Sequence, residues 1–180
     1  MAADPSLDLW AMDEVHFQQH GSRCRMWIPP EIHDPVVLQE PTRKAVGYFG
    51  AVRIRDGKFV YRREQEKFNA ETCQEFLCEL YEASRDSGRR VIVIADNAKY
   101  HHAKLHADWR DAHFDEFALD FLPPYSPDLN PAERVWKLTR RSCTHNRYFA
   151  ALDELTATVE SRFDAWAQPD NPLRRLCAIT

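Results

Sequence analysis

The sequence predicts an α/β fold with a mixed five-stranded sheet flanked by helices. Three strand patterns occur early, and Asp56-Gly57, a strong two-residue hairpin signal, separates two of them. Two later apolar runs, at 91–95 and 117–122, alternate with helical patterns, as parallel strands buried on both faces do. With 180 residues, of which 44% are hydrophobic, the chain is long enough to form one domain around its own core.

The first part of the chain is predicted to be mainly strand. Leu7, Leu9 and Ala11 alternate with polar or ambivalent residues, and this alternation indicates the first strand. Four prolines between residues 18 and 43 indicate a loop or a broken hairpin. The strands predicted in this part span residues 7–17, 45–54 and 58–63.

Four helices are predicted in the rest of the chain. Asn69 is a suitable N-cap for the first, and Gly88 is a suitable stop. Apolar residues recur at helical spacing in the first and last helices, so both are expected to pack one face against the sheet. The predicted helices span residues 70–87, 102–111, 131–148 and 152–167.

A proline-rich segment precedes the third helix, and residues 122–136 have the sequence LPPYSPDLNPAERVW. Its prolines predict a stiff, extended approach to the helix, because proline fixes φ. Asn130 is then the predicted N-cap, Pro131 the first helical residue and Glu133 the third. Glu133 has two interpretations at this point: the acidic member of a capping box, or a carboxylate held in place for a chemical role.

Two aspartates are predicted near the ends of strands. Asp13 lies near the end of the first strand, and Asp96 follows the central apolar run. If these strands are neighbours, both carboxylates emerge at one edge of the sheet, where the third helix can add Glu133. Three such carboxylates would repel each other unless divalent cations lay between them. Asp96 could instead cap the following helix, and Asp13 could be a solvated carboxylate beside Glu14.

Three blocks of the sequence resemble the signature motifs of DDE-superfamily transposases, in the bacterial insertion-sequence branch related to mariner elements. They are DEVHF, VIADNAKYHHA and LPPYSPDLNPAERVWKLTRR. The resemblance implies an RNase H-like fold in which Asp13, Asp96 and Glu133 are the catalytic residues and bind two Mg²⁺ or Mn²⁺ ions. It also implies a set of residues that flank the site: Glu14, Asn97, His101 and Asn130, with Tyr125, Ser126 and Pro131 in the proline-rich loop. His101 could position the site or contact phosphate, or it could only hydrogen-bond the loop at a helix start.

The resemblance implies an enzyme that cuts DNA at transposon ends and joins the 3′-OH to target DNA. We expect residues 1–180 to form a single catalytic domain, without the helix-turn-helix module that such transposases carry ahead of it. The expected partners are DNA and either a second copy of the chain or a separate DNA-binding module. Arg134, Lys137 and Arg141 are predicted to contact the DNA backbone, although a solvated helix face would have the same pattern.

Two other functions stay open at this stage. The first is a catalytically silent module, derived from a transposase, that binds DNA or protein; the net charge of −4 favours it. The second is an RNase H-type nuclease that acts on RNA–DNA hybrids, and the proline-rich block argues against it.

The composition also bears on the compartment. The five cysteines are odd in number and lack zinc-type spacing, so reduced thiols are expected. The first ten residues do not resemble a signal peptide, and no apolar run approaches the roughly 20 residues of a membrane span. We therefore expect a cytoplasmic, nucleoid-associated bacterial protein without membrane contact.

Overall fold

A five-stranded sheet forms the centre of the protein. The computed structural model describes residues 4–33, 36, 38–65, 67–85, 87–124 and 126–179. The strands are β1 (Leu7–Gln18), β2 (Ala45–Arg53), β3 (Phe59–Glu64), β4 (Arg90–Ala95) and β5 (Phe117–Phe121). They lie in the order β3-β2-β1-β4-β5; β1 pairs with β2 and β2 with β3 antiparallel, whereas β1 with β4 and β4 with β5 are parallel. The predicted mixed five-stranded sheet is confirmed.

Helices cover both faces of this sheet. They are α1 (Ala70–Arg85), α2 (Leu105–Ala112), α3 (Pro131–Thr139), α4 (Leu152–Ala165) and α5 (Asn171–Leu176). The 3₁₀ turns Lys99–His102 and Pro127–Leu129 precede α2 and α3, and the π-helical turn Arg140–Thr144 follows α3. Among the helices that the described residues form, none has both the length and the apolar character needed to cross a membrane.

The prediction of one helix over residues 131–148 is wrong at its end. The α-helical part stops at Thr139, the π turn ends at Thr144, and His145 has an extended backbone. Tertiary contacts explain the early end: Ser22 bridges to His145, and the Asn146 side chain bonds the backbone of Cys24. These contacts join two segments distant in sequence, so helical periodicity alone could not predict them.

Successive side chains of β1 point to opposite faces of the sheet, and the core is divided accordingly into two clusters. Leu9 and Phe17, on one face, pack with Trp136 of α3 and Phe163 of α4. Trp10 and its even-numbered neighbour Met12, on the other face, pack against α1. β1 is therefore buried on both sides, and its two-residue period decides which helices each side chain meets.

Asp56 and Gly57 lie in the turn that joins β2 to β3, and this turn also receives the last helix. The prediction of a two-residue hairpin is wrong, because Arg53 pairs with Lys58 and leaves the four residues 54–57 in the turn. Gly57 has φ +77°, and a Cβ atom there would lie 2.2 Å from the carbonyl oxygen of Asp170. Glycine is thus required both by the turn and by the close approach of α5, a helix that was not predicted.

The long connection between β1 and β2 contains neither helix nor strand over the described residues from 23 to 44. This agrees with the predicted loop. Three of its residues, Asp34, Pro35 and Val37, lie outside the described part of the chain.

Candidate active site

The strand register brings the two predicted aspartates together. In the parallel pairing of β1 with β4, Ala11 lies opposite Ile94, and two residues further along each strand are Asp13 and Asp96. β4 ends at Ala95, whereas β1 continues to Gln18. Asp13 therefore lies further inside its strand than predicted. From about this position onward β1 has no pairing with β4, so that edge of β1 is open.

The start of α3 brings Glu133 to the same place. The Asn130 side chain accepts a hydrogen bond from the Ala132 amide at 3.1 Å and donates one to the Met12 carbonyl at 2.9 Å. The predicted N-cap thus also fastens α3 to β1, one residue before Asp13. Within the described residues, the Glu133 carboxylate makes no hydrogen bond or ion pair, so the structure does not support the capping-box interpretation.

A cavity of about 440 Å³ lies between these elements. Its lining comprises the three predicted carboxylates, the strand-end loop and the proline-rich loop: Asp13, Asp96, Asn97, Ala98, Leu122, Pro123, Pro124, Ser126, Asn130 and Glu133. The Asn97 side chain donates a hydrogen bond to the Leu122 carbonyl and so ties the two loops together. Tyr125 lies outside the described residues. The structure therefore gathers Asp13, Asp96 and Glu133 around one opening.

Asp13 is half-buried among like charges. Burial is the main cause that raises its pKa, to about 7, and the carboxylates of Glu14 and Glu133 add to the rise. The Glu14 amide and the indole of Trp136 act in the opposite direction, and Trp136 Nε1 donates to Asp13 Oδ2 at 2.9 Å. Such crowding of carboxylates is the situation that a bound cation relieves.

Asp96 is more exposed, and one of its oxygens is engaged by the protein. Asp96 Oδ1 accepts from the Ala98 amide at 2.9 Å and lies 3.1 Å from His101 Nδ1. The hydrogen bond to His101 is the main cause that lowers the pKa of Asp96. The capping interpretation is wrong: Asp96 closes a local turn onto Ala98, and it is the N-cap of neither the 3₁₀ turn Lys99–His102 nor α2.

His101 lies beneath Asp96 and joins it to Glu14. The ring is 1% exposed; His101 Nε2 is 2.9 Å from Glu14 Oε1, and Nδ1 also lies 3.1 Å from the Asp96 carbonyl oxygen. Burial lowers the pKa of His101, but hydrogen bonds to Asp96, Cys73 and Glu14 outweigh it, so the pKa is raised. Possible ligand atoms of Glu14, Asp96 and His101 lie within 4.8 Å of one another. Because both ring nitrogens are already hydrogen-bonded, we interpret this cluster as a support for Asp96.

The donor set of the cavity fits a hard divalent cation. Asp13, Asp96 and Glu133 offer carboxylate oxygens, which suit Mg²⁺ and Mn²⁺ better than softer metals. The Glu133 carboxylate is unpaired within the described residues, and Asp96 keeps its second oxygen clear of the His101 contact. The site thus has oxygens available for a metal.

The predicted DNA-binding residues have different surroundings. Arg134 Nη1 donates to the carbonyls of Leu176 and Ala178 at 3.0 and 3.1 Å, so this side chain fastens the end of α5. Lys137, in α3, and Arg141, in the π turn, are exposed. DNA contact by these three residues stays a prediction.

Two residues that shape the site, Trp136 and Gly50, were not among the predicted site residues. Trp136 is buried in the core, and its indole N–H also reaches Asp13. Gly50 lies opposite Asp13 on β2, and a Cβ atom there would lie 2.3 Å from Trp136 Cη2. A buried indole N–H usually finds an acceptor, and that was the available signal for Trp136.

Comparison with known proteins agrees with this arrangement. A family model described as DDE superfamily endonuclease matches residues 8–156. A protein of Sinorhizobium fredii, named only as uncharacterized protein y4pE/y4sA, is 37% identical over 108 residues, which cover 59% of this chain and 74% of that protein.

Solved structures of Mos1 transposase have a similar fold. The catalytic domain of Mos1 mariner transposase is 18% identical with a TM-score of 0.63, over 94% of this chain and 75% of that one. The Mos1 paired-end complex with Mn is 19% identical with a TM-score of 0.69, over 97% of this chain and 52% of that one. The strand transfer complex is 21% identical with a TM-score of 0.66, over 94% and 50%. The chain spans about half the length of the Mos1 chains in these complexes, and the expected RNase H-like fold is confirmed.

Proposed function

Because the chain belongs to the DDE superfamily of endonucleases, we propose that it is a transposase catalytic domain that cuts DNA at transposon ends and joins the 3′-OH to target DNA. One observation carries this proposal: Asp13, Asp96 and Glu133, from three separate blocks of sequence, line one cavity. The fold shared with Mos1 transposase supports the same reaction class.

Asp13, Asp96 and Glu133 are the residues that would hold Mg²⁺ or Mn²⁺, and we propose two ions. When bound, such ions activate a water for attack on a phosphodiester and stabilise the leaving 3′ oxygen. Asp13 is oriented by Trp136, and Asp96 by Ala98 and His101. A strand, a strand end and a helix start thus supply the three carboxylates, and rigid elements of this kind hold ligands more accurately than loops do.

Cutting and joining can use the same geometry. In both steps an oxygen nucleophile attacks a phosphodiester, first from water and then from the freed 3′-OH. The cavity is walled on one side by Pro123 and Pro124, whose fixed φ limits movement of that wall. DNA and a second copy of the chain, or a separate DNA-binding module, are the proposed partners.

The test is Mn²⁺-dependent nicking of supercoiled plasmid by the purified chain. We expect Asp96→Asn to lose at least about 100-fold in rate, because a lost metal ligand removes transition-state stabilisation. Asp120→Asn is the matched control, since Asp120 is exposed on the neighbouring β5 and does not line the cavity. Equal nicking by all three proteins would identify a contaminating nuclease. Absence of nicking in all three would favour the silent binding module, which the net charge of −4 also suggests.

A further inference from the structure

A second cavity lies at the far end of β1, beyond the catalytic cavity. It has a volume of about 260 Å³ and lies between the end of β1, the loop that follows and the π turn Arg140–Thr144. None of the eight described residues that line it is acidic, whereas His16, His20 and Arg140 are among them. In a chain with net charge −4, a cavity lined in this way is a candidate site for an anion.

Half-buried Arg140, like Arg90 and Arg134, has no acidic partner among the described residues, but those two arginines donate to backbone carbonyls. Its guanidinium carbon lies 5.7 Å from the centre of the Phe17 ring, and within the described residues its side chain makes no hydrogen bond or ion pair. Arg53, in contrast, contacts Asp8 and Asp56. Buried charges are usually paired, so a guanidinium held only by ring packing leaves its donors available to a ligand.

The backbone of β1 adds a donor beside this cavity. The Leu9 carbonyl accepts from Ile54, so odd-numbered residues of β1 exchange hydrogen bonds with β2. The Met12 carbonyl faces the other edge, where it accepts from Asn130. By the two-residue period of a strand, the His16 amide also faces that edge, which β4 leaves open.

The cavity is held rigidly by contacts between its two walls. Ser22 Oγ lies 2.5 Å from His145 Nδ1, and the Asn146 side chain bonds both the amide and the carbonyl of Cys24 at 3.0 Å. Gly21 has φ +66°, and a Cβ atom there would lie 3.0 Å from the Arg147 carbonyl oxygen. The loop after β1 is therefore clipped to the π turn, and a preformed site binds a ligand at lower entropic cost.

We infer that this cavity binds a backbone phosphate of the DNA strand that leaves the catalytic cavity along the open edge of β1. The inference rests on the proposed function. Asp13 and Gln18 are five residues apart, which is roughly 17 Å along a strand. The phosphate bound at Arg140 therefore lies a few nucleotides from the one that is cut.

The experiment measures DNA binding without catalysis. A fluorescein-labelled 30-base-pair duplex is titrated by anisotropy in EDTA, at salt concentrations from 25 to 200 mM, with the wild-type chain, Arg140→Gln and Arg140→Lys. Loss of one phosphate contact lowers the slope of log K against log salt by about 0.9, so we expect this change in Arg140→Gln and not in Arg140→Lys. Arg162→Gln is the matched control, because Arg162 also lies 5.7 Å from a ring, that of Trp166, on α4.

A second pair of variants covers the case in which Arg140→Gln does not fold. Gln18→Glu places a carboxylate at the cavity without changing α3, and we expect roughly tenfold weaker binding from repulsion of the phosphate. Ser161→Glu, which adds the same charge at an exposed position of α4, should leave the affinity unchanged. Equal effects of each variant and its control, or no duplex binding by the wild type, would overturn the site. If the phosphate site is overturned in this way but the wild-type chain still nicks plasmid DNA, the proposed function is still supported. If Arg140→Gln lowers the salt slope of DNA binding but the wild-type chain does not nick, only the phosphate site is supported.

Discussion

The indole Nε1 of Trp136 donates a hydrogen bond to Oδ2 of Asp13 at 2.9 Å. Trp136 is buried on α3, and Asp13 lies on β1 at the candidate metal site. A buried aromatic residue therefore orients one of the carboxylates of that site. It also lowers the pKa of Asp13 against the larger effects of burial and of Glu14 and Glu133.

The metal-free chain should lose the stability that Asp13 contributes as the pH rises from about 4 to about 7. The pKa of Asp13 is raised to about 7 in the folded protein, well above the usual range of an aspartate, so the folded state binds its proton more tightly than the unfolded state does. This contribution is present below pH 4 and is lost as the pH rises through 7. Thermal melts of the wild type and Asp13→Asn in EDTA check it: the difference between the two proteins should change with pH, and Mn²⁺ should stabilise only the wild type. Parallel pH curves would contradict the assignment.

Removing the indole donor should weaken the binding of Mn²⁺ at the candidate site. Trp136→Phe keeps most of the ring but loses the hydrogen bond to Asp13, which leaves the carboxylate free to turn and raises its pKa further. A hydrogen bond to a charged group contributes about 1.5–3 kcal/mol, so we expect at least about tenfold weaker Mn²⁺ binding. Calorimetric titration measures the affinity, and Trp166→Phe, a change at another core indole, is the control.

Gly50→Ala should displace Trp136. Gly50 faces Asp13 across the β1–β2 pair, and the added Cβ would lie 2.3 Å from Trp136 Cη2 and 2.7 Å from Phe59 Cζ. We expect about 1–3 kcal/mol of destabilisation in urea unfolding, as is typical of overpacking. Adding Trp136→Phe to Gly50→Ala should recover part of that loss, since the smaller ring leaves room. Additive losses in the double variant would show that the two residues do not compete for space.

His101 should act as a positioning residue for Asp96. His101→Asn removes the contacts to both Asp96 and Glu14, and loss of a group that orients a metal ligand typically costs about 10- to 100-fold in metal affinity. His102→Asn is the matched control, because the neighbouring His102 is exposed and stacks on Phe121. Electron paramagnetic resonance of free Mn²⁺ gives both affinities. Similar values for the two variants would mean that His101 only supports the loop.

Asn130 should stabilise the protein through two separate hydrogen bonds. Asn130→Ala loses the cap on Ala132 and leaves the Met12 carbonyl without its donor, which together should cost about 2–3 kcal/mol. Asn130→Ser keeps an N-cap oxygen but cannot reach Met12, so about half of the loss is expected. Urea unfolding of the three proteins measures both values, and equal stability of the alanine and serine variants would contradict the capping contribution.

Local signals predicted the elements that carry the site. The Asp56-Gly57 turn, the Asn69 and Asn130 caps and the two apolar runs each depend on residues close in sequence, and all appear in the structure. The prediction that Asp13, Asp96 and Glu133 lie around one opening depended on the first and fourth strands being neighbours. In the structure β1 and β4 are a parallel pair, and the three residues line one cavity. Their roles as catalytic metal ligands stay a prediction.

By itself the sequence determined the order of the five strands and the first four helices, the start of α3 and the three blocks that bear carboxylates, because periodicity, caps and turn residues act over a few positions. Only the tertiary structure decided that α3 gives way to a π turn, that Arg134 fastens α5 and that Trp136 turns its N–H to Asp13. Each of these depends on two segments that meet only after folding, and the backbone space at Gly50 lets Trp136 come close enough to Asp13.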